Sequence, residues 1–444
     1  MRSIIFTSLF FISKFALSAD SLSTKINHHY DSLRALGMGN AFTAVADDYS
    51  LIYYNPAGFA NKKSNEVQFS IVGAGVSPKT LTLMSDMKKA SDTVGTDQQK
   101  AQAISDALEP YYGKALGGKV QALELFWIRK NWGVSFIPVD LTVDMSIDRQ
   151  LGPAIDLNIK GDTTLAYGYG LDVAPNFSVG ATAKFVHRVS VDQSVSALEL
   201  ASDPNVLSSK RFKEGQLIDF DLGVLWSPSW FGQSLVKEEK PIGLKVESKL
   251  APATEDKKLE EKKRDPQAAA KDVDSNLVET EKINEKKEMI TEVVKETYKD
   301  KLPLTLGATL HNVFGGSFQK SKMVNKDATQ APTKMYSVID LGSQYILYDF
   351  GDLRVRSMLD FRDLFHPEIT FNKSFHAGVE LDYSPSGWFK SQLRAGINQM
   401  YYTAGTTLLL GIVNIDLVTF GEEVGTTSVK IENRVYAAKL GMNF

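Results

Sequence analysis

Residues 132–147 read WGVSFIPVDLTVDMSI, and apolar residues alternate with polar ones along most of this stretch. From Val139 to Ile147 every odd-numbered residue is apolar and every even-numbered one is Asp, Thr or Ser. Successive side chains of a β-strand point to opposite faces, so this stretch has one apolar and one polar face. It is also longer than the ~9–11 residues that a tilted strand needs to cross a bilayer. The stretch therefore predicts a strand with one face in lipid and the other toward a polar interior.

The same period of two recurs along the chain and predicts an all-β protein. A soluble β-sandwich also alternates, but the long strands, the charges of both signs on the polar faces and the final alternating row from Tyr436 to Phe444 favour a transmembrane antiparallel β-barrel. We predict 14 strands, an even number as expected for a closed bacterial barrel. An alternative division makes Ile242–Leu250 a strand and joins the two segments 403–411 and 412–420. The predicted strands are residues 65–73, 119–129, 132–147, 154–173, 177–191, 216–227, 303–313, 335–347, 353–363, 374–384, 389–400, 403–411, 412–420 and 433–444.

Composition excludes several classes of site. The 444 residues include no cysteine, so disulfides, thiolate metal sites and a cysteine nucleophile are excluded. The six histidines show no spacing typical of a zinc site, and the net charge of −3 gives no reason to expect nucleic acid. We therefore predict no metal, no cofactor and no enzymatic activity. His187 is predicted to lie on the lipid-facing side of its strand, where a histidine at the membrane interface is more plausible than a catalytic base.

The N-terminus has the features of an export signal. Residues 1–19 combine a basic start, a mainly apolar stretch and small residues suited to cleavage, and are predicted to be a cleaved signal peptide. Residues 20–64 then precede the first strand as a separate N-terminal segment, and residues 65–444 form the barrel. The predicted location is the outer membrane of a Gram-negative-type cell, with membrane lipid as one partner.

A charged insert interrupts the barrel at about residues 230–302. Within it, residues 251–301 hold 14 acidic and 12 basic residues, too many charges to form a core of their own. We predict a solvated, partly helical insert on the periplasmic side. The alternative is a docking segment for a periplasmic protein. The predicted topology also places all five tryptophans at the periplasmic rim, where an aromatic girdle belongs.

The strand that opens this section contains a change of parity. Its apolar residues are even-numbered up to Phe136 and odd-numbered from Ile137 onward. Such a change requires one extra residue, a β-bulge, and Pro138 supports it because proline is tolerated at bulges. The bulge either bends the wall or opens a lateral gap in it.

Residues 34–60 read RALGMGNAFTAVADDYSLIYYNPAGFA, a segment of small and hydrogen-bonding residues suited to a plug inside a polar lumen. A nucleotide-binding glycine loop does not fit, because the third glycine is missing and no strand precedes it. Side chains such as Asp47, Asp48 and Asn55 can hydrogen-bond to the barrel wall. The run from Gly37-Met-Gly39 through Asp47-Asp48 to Asn55-Pro56-Ala57 resembles the hatch of the FadL-type outer-membrane hydrocarbon and long-chain fatty-acid transporters.

The resemblance implies a 14-stranded barrel with a luminal hatch that passively takes up hydrophobic molecules such as long-chain fatty acids or hydrocarbons. It also implies lateral release of ligand at a kinked third strand, here Phe136, Ile137 and Pro138. The alternative is a PorV-like or TraF-like binding or assembly barrel that serves a secretion or envelope complex. Tyr436 and Phe444 resemble the terminal signal by which outer-membrane barrels are assembled.

Two further expectations concern the interior and the outer loop. The charged residues on the inner faces, among them Asp140, Lys184, Arg188 and Arg356, are expected either to form cross-lumen ion pairs that stiffen the wall or to provide a polar path or a docking surface for a partner. The outer loop of residues 74–118 is expected either to pack on itself or to expose an apolar collecting surface. Its candidate residues are Met84, Met87, Ala101, Ile104 and Leu108.

Overall fold

A computed structural model describes residues 25–148, 154–196, 199, 211–230, 303–425 and 429–444. The predicted signal peptide (1–19), the first residues of the N-terminal segment (20–24), the charged insert from 231 onward and the alternative strand Ile242–Leu250 lie outside the described residues.

Fourteen long strands form a single closed antiparallel barrel, which confirms the predicted fold class. Each strand pairs with its neighbours in sequence, and β15 closes the barrel by pairing with β1, for example through Phe69 and Met442. The two-residue strand β8 adds only to the edge of β6. The strands are β1 Glu66–Val76, β2 Ala115–Arg129, β3 Trp132–Asp148, β4 Ala154–Ala174, β5 Phe177–Ser196, β6 Lys213–Trp226, β7 Leu304–His311, β8 Gln319–Lys320, β9 Val338–Phe350, β10 Leu353–Leu364, β11 Phe375–Ser386, β12 Phe389–Asn398, β13 Tyr401–Leu410, β14 Val413–Glu423 and β15 Glu432–Asn443.

The predicted strand bounds agree with the structure to within a few residues. The alternative joining of residues 403–411 and 412–420 is wrong, because Gly411 has a positive φ and turns the chain between β13 and β14. Glycine adopts this backbone conformation without steric cost.

The wall has an apolar outer face and a polar inner face. On β3 and β4 the outward residues Leu141, Leu165 and Tyr167 are exposed, whereas the inward residues Asp140 and Asp162 are buried. This inversion, with apolar side chains outside and charges inside, is the pattern of a barrel whose outer face contacts lipid. In the described part of the chain, every helix is too short or too polar to span a membrane.

Short turns mark one end of the barrel. They join β2 to β3, β4 to β5, β9 to β10, β11 to β12 and β13 to β14. All five tryptophans lie at this end, as predicted. The rings of Trp127 and Trp132 meet edge to face with their centroids 5.2 Å apart, and the rings of Trp226 and Trp230 do so at 5.1 Å. Strand β6 ends at Trp226, which pairs with Leu306 near the start of β7, so the two strand ends that flank the charged insert also lie at this end. Short turns face the periplasm in outer-membrane barrels, so we take this end as periplasmic.

Helices occur in the N-terminal segment and in the loops at the opposite end. Helices α1 Leu33–Gly37, α2 Leu51–Tyr54 and α3 Gly58–Asn61 lie within the barrel and contact β3, β4, β5 and β12 to β15. The loop between β1 and β2 holds α4 Pro78–Ser91 and α5 Asp97–Leu108, and α6 Phe371–Ser374 precedes β11. Residues 25–64, which we call the hatch, therefore plug the lumen as predicted.

The helical hairpin α4–α5 packs mainly on its own loop and on the strands beneath it. Ile104 and Leu108 are buried, and Met87 is partly buried against them. Most of the expected apolar collecting surface is therefore absent because these side chains form a small core, while Met84 remains exposed.

Candidate functional site

The hatch is fitted to the wall at inward-facing glycines. A methyl group added at Gly180 would lie 2.3 Å from the Pro56 carbonyl oxygen, and one at Gly168 would lie 2.2 Å from the Phe59 ring. Because a Cβ atom cannot approach a backbone atom so closely, Gly180 admits only glycine while the hatch is in place, and a side chain at Gly168 would displace the buried Phe59 ring. The wall glycines that contact the hatch in this way are Gly133, Gly168, Gly170, Gly180, Gly223, Gly307, Gly342, Gly378 and Gly396.

The hatch motif residues lie at these contacts. The buried Asn55 amide donates to the carbonyl oxygens of Thr43 at 2.9 Å and Val224 at 3.0 Å, which ties the hatch to β6. Pro56 packs on Gly170 and Gly180, and Ala57 is fully buried. The expectation that Asn55 bonds to the wall is met.

The two motif glycines approach the opposite side of the wall. Gly39 has a φ of 72° and lies against the carbonyl oxygens of Ala377 and Ile397. A side chain there is excluded both by the backbone conformation and by the lack of space. Gly37 packs on Gly405 of β13. The spacing of the motif is therefore set by contacts with strands on both sides of the lumen.

Asp47 and Asp48 are half-buried and belong to an ion-pair cluster between hatch and wall. Arg34 of the hatch donates to Asp47 at 2.7 Å and to Asp48 at 2.8 Å. Arg34 also forms two hydrogen bonds of 2.9 Å with Glu380 of β11. The same Glu380 accepts from Arg356 of β10 and Arg394 of β12. Sequence reasoning did not identify Glu380, because three strands and the hatch meet there only in the folded barrel.

Further inward charges pair between neighbouring strands. Lys184 donates to Asp221 at 2.7 Å, and Arg188 forms two bonds of 2.7 Å with Asp162. The expected ion pairs are therefore present, but they join neighbouring strands and do not cross the lumen. Buried pairs of this kind hold their partners in place because separating them leaves an unpaired buried charge.

A cavity of about 250 Å³ lies between the hatch and the loops at the end opposite the short turns. Most of its lining residues are polar or charged, among them Lys184, Arg188 and Asn312, and Met335 and Val338 are among the apolar ones. The hatch residues Ile26, His28, His29, Tyr30 and Tyr53 complete it.

The hatch residue His28 forms ion pairs in the lining of this cavity. Its Nε2 lies 3.0 Å from the Asp363 carboxylate, and its Nδ1 lies 3.3 Å from Asp31. Burial by itself would lower the pKa of the imidazole, but the carboxylates of Asp363 and Asp31 raise the pKa to about 10. His28 is therefore protonated at neutral pH and ties the start of the hatch to β10.

An aromatic cluster extends from the cavity to the wall. The rings of Tyr30 and Tyr53 are 5.1 Å apart, and both pack on the ring of Phe126, which points inward from β2. The Tyr53 hydroxyl is 2.7 Å from the hydroxyl of Ser135 on β3. Ser135 is two residues from Ile137, which is buried in the same cluster. The cluster therefore ends at the predicted bulge.

The bulge is present where the change of parity predicted it. The pairing of β3 with β4 shifts by one residue between Ile137 and Asp140, so that Phe136 is exposed and Ile137 points into the lumen. Nearby, Leu123 of β2 has a φ of 57°, and the β2–β3 pairing is interrupted beside it.

The wall is nevertheless closed at this point. Strand β3 runs without a break from Trp132 to Asp148, and the Pro138 carbonyl accepts a hydrogen bond of 2.9 Å from the Thr163 hydroxyl. The feature is a bulge in a continuous strand and not an open gap, so any lateral exit at Phe136, Ile137 and Pro138 requires the strands to separate.

The remaining sequence-predicted residues lie on the outer face. Tyr436 pairs with Val76 and Thr419 and is exposed. Phe444 is exposed and exchanges two backbone hydrogen bonds with Val67. His187 contacts Glu214 at 2.9 Å.

Comparison with known proteins finds similarity among solved structures only. No protein-family model and no curated protein sequence matches the chain. The toluene transporter TbuX of Ralstonia pickettii is 8% identical, with a TM-score of 0.42 over 94% of this chain and 98% of that one. The toluene transporter TodX of Pseudomonas putida is 10% identical, with a TM-score of 0.40 over 94% and 98%. A FadL homologue of Pseudomonas aeruginosa is 9% identical, with a TM-score of 0.38 over 92% and 96%. The solved structures to which this chain is similar thus include two toluene transporters and a FadL homologue.

Proposed function

We propose that this chain is an outer-membrane barrel for passive uptake of small hydrophobic molecules, which enter the cavity above the hatch and leave sideways at the bulge of β3. The observation that carries the proposal is the aromatic cluster. Tyr30 and Tyr53 line the cavity, and the same two rings pack on Phe126 beside the bulge. An apolar ligand in the cavity therefore has an apolar route to the wall.

A route straight through the hatch is less favourable. It would require the hatch to leave the wall glycines and Arg34 to leave Glu380, its buried carboxylate partner on the wall. Breaking a buried ion pair costs about 3–5 kcal/mol. The aromatic cluster is held to the wall by ring contacts, by one neutral hydrogen bond between the Tyr53 and Ser135 hydroxyls, worth about 0.5–1.5 kcal/mol, and by a bond of 3.0 Å from the Lys439 ammonium to the Tyr30 hydroxyl. Movement of Tyr53 alone is therefore the cheaper step.

The size of the cavity favours small ligands. Its volume of about 250 Å³ exceeds the roughly 150 Å³ of an engineered protein cavity that binds benzene. A ligand of one or two rings fits entirely, whereas a long acyl chain would extend beyond the cavity. Single-ring hydrocarbons are therefore the first ligands to test, and long-chain fatty acids the second.

The experiment uses a disulfide to hold β2 and β3 together at the bulge. Ala122 and Val139 are register partners beside the interrupted pairing, so the double variant Ala122→Cys, Val139→Cys can form a cross-strand disulfide in this cysteine-free chain. The matched control joins β11 to β12 through Val379→Cys, Ala395→Cys.

Uptake of radiolabelled toluene and of a labelled fatty acid is measured in cells before and after reduction. Uptake by the bulge variant should be abolished when its disulfide is formed and restored when the disulfide is reduced. Uptake by the control variant should be the same in both states. Full uptake through the oxidised bulge variant, with disulfide formation confirmed by mass spectrometry, contradicts the lateral route. Absence of uptake by the wild-type barrel contradicts the transport function itself.

A second candidate is an assembly or binding barrel that recruits a periplasmic protein. Trp226 and Leu304, which flank the charged insert, both lie at the short-turn end. A cavity of about 700 Å³, lined by charged hatch and wall residues such as Asp47, Lys62 and Arg354, also opens at this end. Co-purification of a periplasmic protein that is lost on deletion of residues 251–301 would support this candidate.

A further inference from the structure

The helical hairpin α4–α5 packs against the barrel wall through a small apolar core. Leu83 of α4 and Ile104 and Leu108 of α5 are buried in this core. The wall contributes Leu116 of β2 and Ile147 of β3.

These wall residues belong to the outer face. Lys119 donates to Asp31 of the hatch at 2.9 Å, so odd-numbered residues in this part of β2 point into the lumen and Leu116 points outward. Likewise, Asp144 accepts from a hatch lysine, so even-numbered residues of β3 point inward here and Ile147 points outward. The hairpin therefore covers the outside of the barrel wall.

The hairpin lies at the level where the lipid-facing band ends. The apolar band of an outer-membrane barrel is about 25 Å tall, and strands tilted by about 40° rise about 3.3 Å per residue along their axis, so about ten residues cross it. Counted from the girdle residue Trp127, ten residues of β2 reach Gly117–Gly118. Gly118 pairs with Val76, the last residue of β1, and α4 begins two residues later at Pro78.

One flank of α4 is apolar and has no protein partner in the hairpin core. Leu81 is 57% exposed and Met84 is 63% exposed, and their spacing of three residues places them side by side on the helix. Lys88 follows one turn later on the same flank and is also exposed. In contrast, the exposed side chains of α5 include Gln98 and Gln102, so the apolar flank is confined to the helix that starts at the edge of the lipid band.

We propose that α4 rests on the outer leaflet of the membrane, with Leu81 and Met84 inserted among the lipid chains and Lys88 at the lipid phosphates. The flank continues the lipid-facing surface of the wall, where Val120 and Leu141 are exposed just below the hairpin. Burial of apolar side chains in the interface, with a lysine extending to the anionic head groups, is the binding mode of interfacial helices. The contact fixes the hairpin at the membrane surface and does not depend on what the barrel transports.

The absence of cysteine allows a direct test by single-site labelling. The variants Met84→Cys, Gln98→Cys and Val120→Cys each carry the environment-sensitive fluorophore NBD in the full-length barrel. The barrel is reconstituted in phosphatidylcholine vesicles, with or without a doxyl-labelled phosphatidylcholine, and iodide serves as the aqueous quencher. Val120 is the lipid control on the wall, and Gln98 is the water control on the neighbouring helix.

The label at position 84 should be quenched by the doxyl lipid and shielded from iodide, as at position 120, whereas the label at position 98 should show the reverse. A label at position 84 that behaves like position 98, while position 120 reports lipid, overturns the inference. If position 120 also reports water, the barrel is not embedded as described and the membrane placement fails with it. A Leu81→Asp change in the Met84-labelled protein should restore iodide quenching, which a label buried in protein would not show.

Discussion

Replacing Glu380 by glutamine is expected to loosen the hatch while the barrel wall stays closed. In the native protein this buried carboxylate accepts five hydrogen bonds, two from Arg34, two from Arg356 and one from Arg394. Of these three arginines only Arg34 belongs to the hatch, so its two bonds are the part of the Glu380 contacts that holds hatch to wall; the bond of 2.8 Å from Arg356 to the hatch residue Asp47 is separate and does not involve Glu380. Glutamine keeps the shape but removes the charge and turns an amide group toward the arginines.

The magnitude follows from those two bonds. A hydrogen bond to a charged group contributes about 1.5–3 kcal/mol, and Arg34 retains its contacts with Asp47 and Asp48. We therefore expect a loss of about 3 kcal/mol in the free energy of hatch docking. Because each 1.36 kcal/mol is a factor of ten, hatch opening should become roughly 10²-fold more frequent.

The assay is amide hydrogen exchange measured by mass spectrometry on the barrel in detergent. Peptides covering residues 33–54 should exchange roughly 10²-fold faster in Glu380→Gln, while peptides from β4 and β5 keep their native rates. Asp382→Asn is the matched control, because Asp382 is a buried carboxylate on the same strand that pairs with Arg354 and Lys390 of the wall. Unchanged hatch exchange in a folded Glu380→Gln barrel, or equal acceleration in both variants, would refute the role of Glu380 in holding the hatch.

Four further predictions concern other parts of the chain. Pro138→Val with Ile137 deleted restores the register of β3 and should give a folded barrel with little uptake of labelled toluene; full uptake would contradict the lateral exit. Deletion of residues 251–301 should leave compact, heat-modifiable migration in gels, since the flanking strands β6 and β7 pair directly, and loss of that migration would show that the insert is needed for folding. Phe444→Asp should lower the yield of barrel in the outer membrane, as measured by fractionation, and a normal yield would exclude an assembly role. Because the pKa of His28 is raised to about 10, its ion pairs stabilise the fold fully below pH ~6.5 and lose this effect as pH rises through about 10; the difference in melting temperature between wild type and His28→Asn should therefore vanish above that pH.

The architecture of the wall was readable from the sequence because it depends on a local rule. Alternation of side chains across a strand is a property of the backbone, so the apolar and polar faces of β3 to β6 appear directly in the order of residues. The extra residue at Ile137–Pro138 was readable for the same reason, since one inserted residue reverses the parity of all that follow. The hatch was recognisable from the composition and spacing of residues 34–60, and its fit to wall glycines agrees with the small side chains expected there.

Only the tertiary structure decided the contacts between segments that are far apart in sequence. Nothing around Glu380 in the chain marks it as the meeting point of Arg34, Arg356 and Arg394, because those residues converge only when the barrel closes around the hatch. The closed state of the bulge likewise depends on Thr163 of the next strand. Periodicity reports which face a side chain occupies, whereas its partner on that face is selected by strand register, barrel closure and the path of the hatch, and these are properties of the whole fold.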